Sequence, residues 1–173
     1  MSSVGTPKET ITAALRELEC DSLEILKISN FYSTPAFPLG SGPDFVNAVA
    51  SIQTDKNAEE LLMKFHKVES IFDRTRFHRW APRSIDIDLL AFEDRIYPSK
   101  SEFLKWSNLT IIEQIARVPT QLILPHPRIQ DRAFVLIPFV DVSKNWVHPV
   151  FKKSLNQMLG ALKPIDKERI YQI

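Results

Sequence analysis

Two aspartates alternate with aliphatic residues in Ile85-Asp86-Ile87-Asp88-Leu89, and this spacing is the strongest chemical signal in the chain. Side chains of an extended segment alternate between faces, so Asp86 and Asp88 share one side and Ile85, Ile87 and Leu89 the other. Neighbouring carboxylates repel unless a cation sits between them. Their hard oxygens suit Mg²⁺, which keeps water or phosphate oxygens in its remaining positions. Such a pair alone more often marks a solvated polar face with basic partners, but its surroundings favour the metal. Arg74, Arg76, Arg79 and Arg83 lie just upstream with no lysine among them, and guanidinium forks grip phosphate oxygens bidentately. Together they describe a metal-bridged polyphosphate. Trp80 offers either a flat face for a ring or a cover for the core rim. His126 stands between Pro125 and Pro127, shortly before Arg128 and Arg132. It offers a donor to a phosphate or leaving oxygen, or a cap for its own loop.

Glycine is scarce: 4 residues, against about 12 at average usage. No Walker loop or dinucleotide fingerprint is present, and Gly40-Ser41-Gly42-Pro43 suits a turn rather than a phosphate cradle. Any phosphate must be held by side chains and metal. Cys20 and the histidines at 66, 78, 126 and 148 lack zinc-ligand pairings, and no serine sits in a nucleophile elbow.

These groups need elements to position them. Thr6-Pro7-Lys8-Glu9 spells a capping box, and the helix after it should bury Ile11, Ala14, Leu15 and Leu18. Strands are expected over 24–33 and 45–54, joined as a hairpin across the Pro/Gly-rich loop 35–44. Asn57 with Glu60 opens a second helix with a stripe of Leu61, Phe65, Val68 and Phe72. Ile85 to Phe92 reads as the clearest strand. A short helix is expected near 109–117, others over 133–142 and 154–162, and a last short strand over 169–173. The order predicts an α+β fold, helices packed on an antiparallel sheet.

The 173 residues suffice for one domain, 1–173, and 22 basic residues nearly cancel 21 acidic ones. A net charge of +1 argues against a chain that coats nucleic acid or an anionic membrane. With 11 Phe, 3 Trp and 3 Tyr, enough surface can be buried to order the backbone. The longest apolar run is broken by Pro138 and Asp141, no leader pattern follows Met1, and a single cysteine fits a reducing compartment. A cytoplasmic location is expected.

Arg79-Trp80-Ala81-Pro82-Arg83-Ser84-Ile85-Asp86-Ile87-Asp88 resembles the R-W-G-P-R-T-x-D-x-D signature of the 6-hydroxymethyl-7,8-dihydropterin pyrophosphokinases. Phe31-Tyr32-Ser33-Thr34-Pro35 and Asp44-Phe45-Val46-Asn47 resemble two further segments of that family, in its order. So do Glu69 with Arg74-Thr75-Arg76, and Pro125-His126 with Arg132-Ala133-Phe134. The likeness runs from about residue 2 to residue 142.

The resemblance implies a ferredoxin-like antiparallel sheet and transfer of the terminal pyrophosphate of ATP to a reduced hydroxymethylpterin, yielding AMP, in folate biosynthesis. Asp86 and Asp88 would hold two Mg²⁺ ions. Arg74, Arg83, His126 and Arg132 would serve the transferring phosphates. His66, Glu69, Arg76 and Leu89 would complete the nucleotide pocket, which Arg83, His126 and Arg132 share. Thr34, Pro35, Phe37, Phe45, Asn47, Trp80 and Phe134 would form the pterin pocket. Partners would be small molecules only, ATP and the pterin, with no nucleic acid and no membrane, acting on a monomer. Two departures stand out. The family's first strand ends in G-S-N, and only Ser2 and Ser3 match it here, so that strand is expected to be missing. The stretch 98–121 is longer than the bacterial pattern. The alternative is a truncated or degenerate pyrophosphokinase-like module that binds or scaffolds without catalysis. An RNA-binding sheet is disfavoured, since carboxylates occupy the strand face where such sheets carry aromatics.

Overall fold

A computed structural model describes residues 6–20, 22–36, 42–73 and 84–173. Helix α1, Pro7–Leu18, begins at the expected capping box: the Thr6 hydroxyl accepts from Glu9 N–H while the Glu9 carboxylate takes Thr6 N–H. It buries Ala14 and Leu18. Helix α2, Ala58–Asp73, starts by the same exchange between Asn57 and Glu60, at 2.9 and 3.0 Å. Leu61, Phe65 and Val68 are buried along its inner stripe, and α1 packs on it.

Each expected long strand is broken in two. Strands β1, Leu23–Ile28, and β4, Ala50–Thr54, pair antiparallel, as do β2, Tyr32–Thr34, and β3, Phe45–Asn47. The break falls where buried Ser29 meets Val49. Ser29 N–H donates to the Val49 carbonyl and the Ser29 hydroxyl accepts Val49 N–H, both at 2.9 Å. A side chain thus takes the place of a ladder group, and the sheet divides. The short strand β5, Tyr171–Gln172, adds to the free edge of β2 and gives the order β3-β2-β5. The antiparallel pairing and packed helices of an α+β fold are present, in two small sheets rather than one.

Residues 85–92, the clearest strand by pattern, form no ladder among the described residues. The alternation nevertheless holds. Ile85, Ile87 and Leu89 join the first core, with Leu18, Leu61, Phe65 and Leu124, while Asp86 and Asp88 are exposed on the other side. Backbone partners come from elsewhere: Glu69 Oε1 takes Ile87 N–H at 2.7 Å, and His126 N–H donates to the Leu90 carbonyl at 2.7 Å. Side-chain alternation follows from extended dihedrals, whereas a strand also requires a neighbour.

The long connection holds two helices where one was expected. Helix α3, Lys100–Ser107, is capped by Ser99, and helix α4, Ile111–Ala116, by a Thr110–Glu113 box. Helix α5, Ala133–Val142, lies against all of β1 to β4, and α6, Leu155–Ala161, packs on α5. Buried Leu136, Phe139, Leu155 and Met158, with Ile129, form the second core. The Asp141 carboxylate accepts from Tyr32 Oη at 2.9 Å and from both Asn30 nitrogens, tying the start of β2 to α5. Residues 1–5, where the first-strand expectation falls, lie outside the described residues. No helix among the described residues is long and apolar enough to cross a membrane.

Candidate active site

A cavity of about 540 Å³ opens between α2, the 85–89 segment and the loop after Leu124. Asp86, Asp88, Leu89, His66, Glu69, His126 and Arg132 all line it. Seven candidates drawn from three separate stretches of sequence, 66–69, 86–89 and 126–132, therefore converge on one space, which is large enough for a small-molecule ligand.

The acidic segment is fixed from both sides. On one, Glu69 holds the Ile87 amide that lies between the two aspartates. On the other, the Leu90 carbonyl receives His126 N–H. Glu69 therefore does more than line the pocket: a half-buried carboxylate on a backbone N–H is a strong, charge-assisted bond. His66, one turn earlier on α2, is exposed at the cavity rim.

His126 is oriented by its own loop. Its Nδ1 accepts the Arg128 backbone N–H at 3.1 Å. In the neutral ring the proton must then sit on Nε2, which is left as a donor. Burial pushes the imidazole down to about 4; the Asp88 carboxylate opposes this, and Arg132 and Arg128 add to it. At neutral pH His126 is thus an uncharged N–H donor. Arg132 is also lowered from its usual value by burial, against the pull of Asp88. It remains cationic, because the guanidinium begins so high. Its charge lies 5.7 Å from the Phe134 ring centroid. The site thus sets two outward carboxylates against a fixed cation and a neutral donor. Hard oxygens suit a divalent ion and the nitrogens suit phosphate oxygens.

The remaining candidates group differently. Thr34 faces Phe45 across β2 and β3, and Asn47 Nδ2 donates to Thr34 Oγ1 at 2.8 Å. Thr34 is buried, Pro35 and Asn47 are half-buried, and Phe45 and Phe134 are exposed. This group does not line the cavity. Arg132 bridges the two sets, lining the cavity while its guanidinium covers Phe134. Phe37, Arg74, Arg76, Trp80 and Arg83 lie outside the described residues.

Sequence reasoning missed part of the cavity wall. Trp106, Leu109 and Gln114 line it from the α3–α4 connection, and Arg128 lines it beside His126. Ser99 and Glu102 spell a cap that could have revealed α3. No local signal indicates that the connection folds back over the aspartates.

The family model of 7,8-dihydro-6-hydroxymethylpterin-pyrophosphokinase matches residues 2–144. The chain is 32% identical over 165 residues to the 2-amino-4-hydroxy-6-hydroxymethyldihydropteridine pyrophosphokinase of Aquifex aeolicus, covering 94% of this chain and 90% of that protein. It is 28% identical to the protein of the same name from Synechocystis, covering 91% and 70% respectively. It is also 30% identical, over 86% of its length, to the folic acid synthesis protein fol1 of Pneumocystis carinii, but spans only 17% of that protein. With a cavity uniting the signature aspartates, His126 and Arg132, and a match over most of its length, the chain belongs to the 7,8-dihydro-6-hydroxymethylpterin-pyrophosphokinase family.

Proposed function

We propose that the cavity binds ATP with Mg²⁺ and that this chain transfers the terminal pyrophosphate to the hydroxymethyl group of 6-hydroxymethyl-7,8-dihydropterin. The observation that carries the reading is the convergence of Asp86, Asp88, His126 and Arg132 on one cavity in a member of this family. The pterin hydroxyl attacks the β-phosphorus in line. The bond from that phosphorus to the α,β-bridging oxygen breaks, AMP leaves with the oxygen, and the hydroxyl proton passes to solvent.

The two outward carboxylates provide the hard donors that a pair of Mg²⁺ ions takes, and the ions, when bound, neutralise phosphate oxygens. The protein's own groups do the rest. Neutral His126 donates its Nε2–H to a phosphate oxygen without adding a charge that would depend on pH. Arg132 supplies a fixed positive charge, with Arg74, Arg76 and Arg83 in the same role. His66 and Leu89 border the nucleoside, while Glu69 keeps the aspartates in place. Asn47, its amide oriented by Thr34, reads the pterin edge between Phe45, Phe37, Trp80 and Phe134, with Pro35 as a wall. The reading takes residues 1–173 as one cytoplasmic domain acting as a monomer, free of nucleic acid and membrane. Near-zero net charge supports the absence of nucleic acid and membrane, and a lone cysteine supports a reducing compartment. Release of AMP from MgATP with and without the pterin tests the proposal. Asp86→Ala and Asp88→Ala should each abolish release, and near-normal turnover by both would overturn the metal assignment.

A further inference from the structure

Residues 98–121 have no part in the reaction above, yet they build one wall of its cavity. The excursion is closed at its base by Tyr97 and Leu124, which exchange backbone hydrogen bonds of 2.9 and 3.1 Å. It therefore returns directly ahead of His126. Trp106, Leu109, Gln114, Val118 and Pro119 face the cavity from this wall. Trp106, Leu109, Val118 and Pro119, with Leu62, supply apolar lining to the same cavity that the carboxylates, Arg128 and Arg132 line.

Two side chains of the wall have their polar atoms committed in a way that defines what they present. The Trp106 indole N–H donates to Glu102 Oε1 at 2.9 Å, so the ring offers the cavity only its apolar surface. Gln114 Nε2 donates to the Leu109 carbonyl at 2.6 Å, and Arg128 Nη1 donates to the same oxygen at 3.4 Å. A carbonyl only accepts, so the amide nitrogen must face Leu109 and Oε1 remains as an acceptor. Among the described residues Gln114 Oε1 receives no hydrogen bond.

We propose that the α3–α4 excursion is the base-recognition wall of the nucleotide site. Trp106 covers a purine face, and Gln114 Oε1 accepts from the 6-amino group of adenine. A 6-oxo purine presents an acceptor to that oxygen and is rejected, because two acceptors desolvated against each other leave both unpaired. This rests on the reading that the cavity takes a purine nucleotide triphosphate with its phosphates toward Asp86 and Asp88.

The test compares ATP with GTP as donor. Gln114→Leu should lower the ATP-over-GTP ratio of kcat/KM at least tenfold, with the loss on ATP carried by KM. Gln114→Met, nearer in shape, should do the same. Trp106→Ala should raise KM for ATP about tenfold, and Trp106→Phe should restore most of it. The pterin KM in the same assays reports whether the fold survives. Equilibrium binding of non-hydrolysable ATP and GTP analogues with Mg²⁺ reads the same ratio without turnover. Unchanged ratios in both Gln114 variants, or an unchanged ATP KM in Trp106→Ala, would overturn the wall while leaving the reaction standing. Selective analogue binding that both Gln114 variants lose, with no AMP formed by the native chain, would uphold the wall and sink the reaction.

Discussion

Removing the Glu69 carboxylate should loosen the acidic segment and destabilise the fold together. Its Oε1 accepts Ile87 N–H at 2.7 Å, midway between Asp86 and Asp88, and in Glu69→Ala that half-buried amide loses its partner. A hydrogen bond to a charged group contributes about 1.5–3 kcal/mol. A domain of this size shifts its Tm by about 2–4 °C per kcal/mol, so a loss near ~2 kcal/mol lowers Tm by roughly 4–8 °C. Part of the same loss falls on metal binding, because the free segment must be ordered again when the ions bind. About 1.4 kcal/mol is a factor of ten, so half-maximal AMP formation should need about tenfold more Mg²⁺. Glu69→Gln keeps an oxygen acceptor without the charge, and neutral bonds are roughly half as strong; it should show about half of each effect. The assays are thermal melts and Mg²⁺ titrations of AMP release on the three proteins. A Glu69→Ala protein with native Tm and native Mg²⁺ dependence would refute the reasoning.

Acid should destabilise the chain through His148. The ring is fully buried among Phe103, Trp146 and Phe151, its Nδ1 accepts Val150 and Phe151 N–H, and burial pushes it down to about 4. Because the folded value lies below the free one, the unfolded chain takes the extra proton between pH ~6.5 and pH ~4, and stability falls as pH falls through that window. The loss is on the order of 3 kcal/mol. His148→Asn keeps the acceptor and should remove roughly half of the pH dependence of denaturant midpoints in that window, the rest belonging to His126, which burial also holds at about 4; an unchanged slope would count against it. Cys20 should react with iodoacetamide with a midpoint near pH 7, because Lys64 Nζ at 3.0 Å and then Ser22 stabilise its thiolate. Lys64→Met should move that midpoint upward, and an unmoved one would remove Lys64 as the cause.

The parts of the fold legible in sequence are those decided locally. Thr6 with Glu9 and Asn57 with Glu60 each announce a helix and each cap as expected. Ser99 with Glu102 and Ser154 with Gln157 follow the same rule. The strand breaks were hidden because Ser29 satisfies Val49 across twenty residues, a bond no local pattern reveals. In 85–92 the faces were legible and the ladder was not, since a ladder depends on what lies alongside. The site divides in the same way. Aspartate spacing, the proline-flanked His126 and Arg132 identify themselves by residue type. Glu69 as a clamp and Gln114 as an acceptor depend on contacts set by the path of the whole chain.

The central claim is that two same-side carboxylates and the His126–Arg132 pair hold a metal-bound nucleotide in one cavity. Calorimetric titration with a non-hydrolysable ATP analogue, with and without Mg²⁺, on the native chain and on the Asp86→Asn/Asp88→Asn double variant, tests it most directly. The native chain should bind at least a hundredfold tighter with Mg²⁺, and the double variant should bind alike in both conditions. Equal, metal-independent affinity in the native chain would contradict the account.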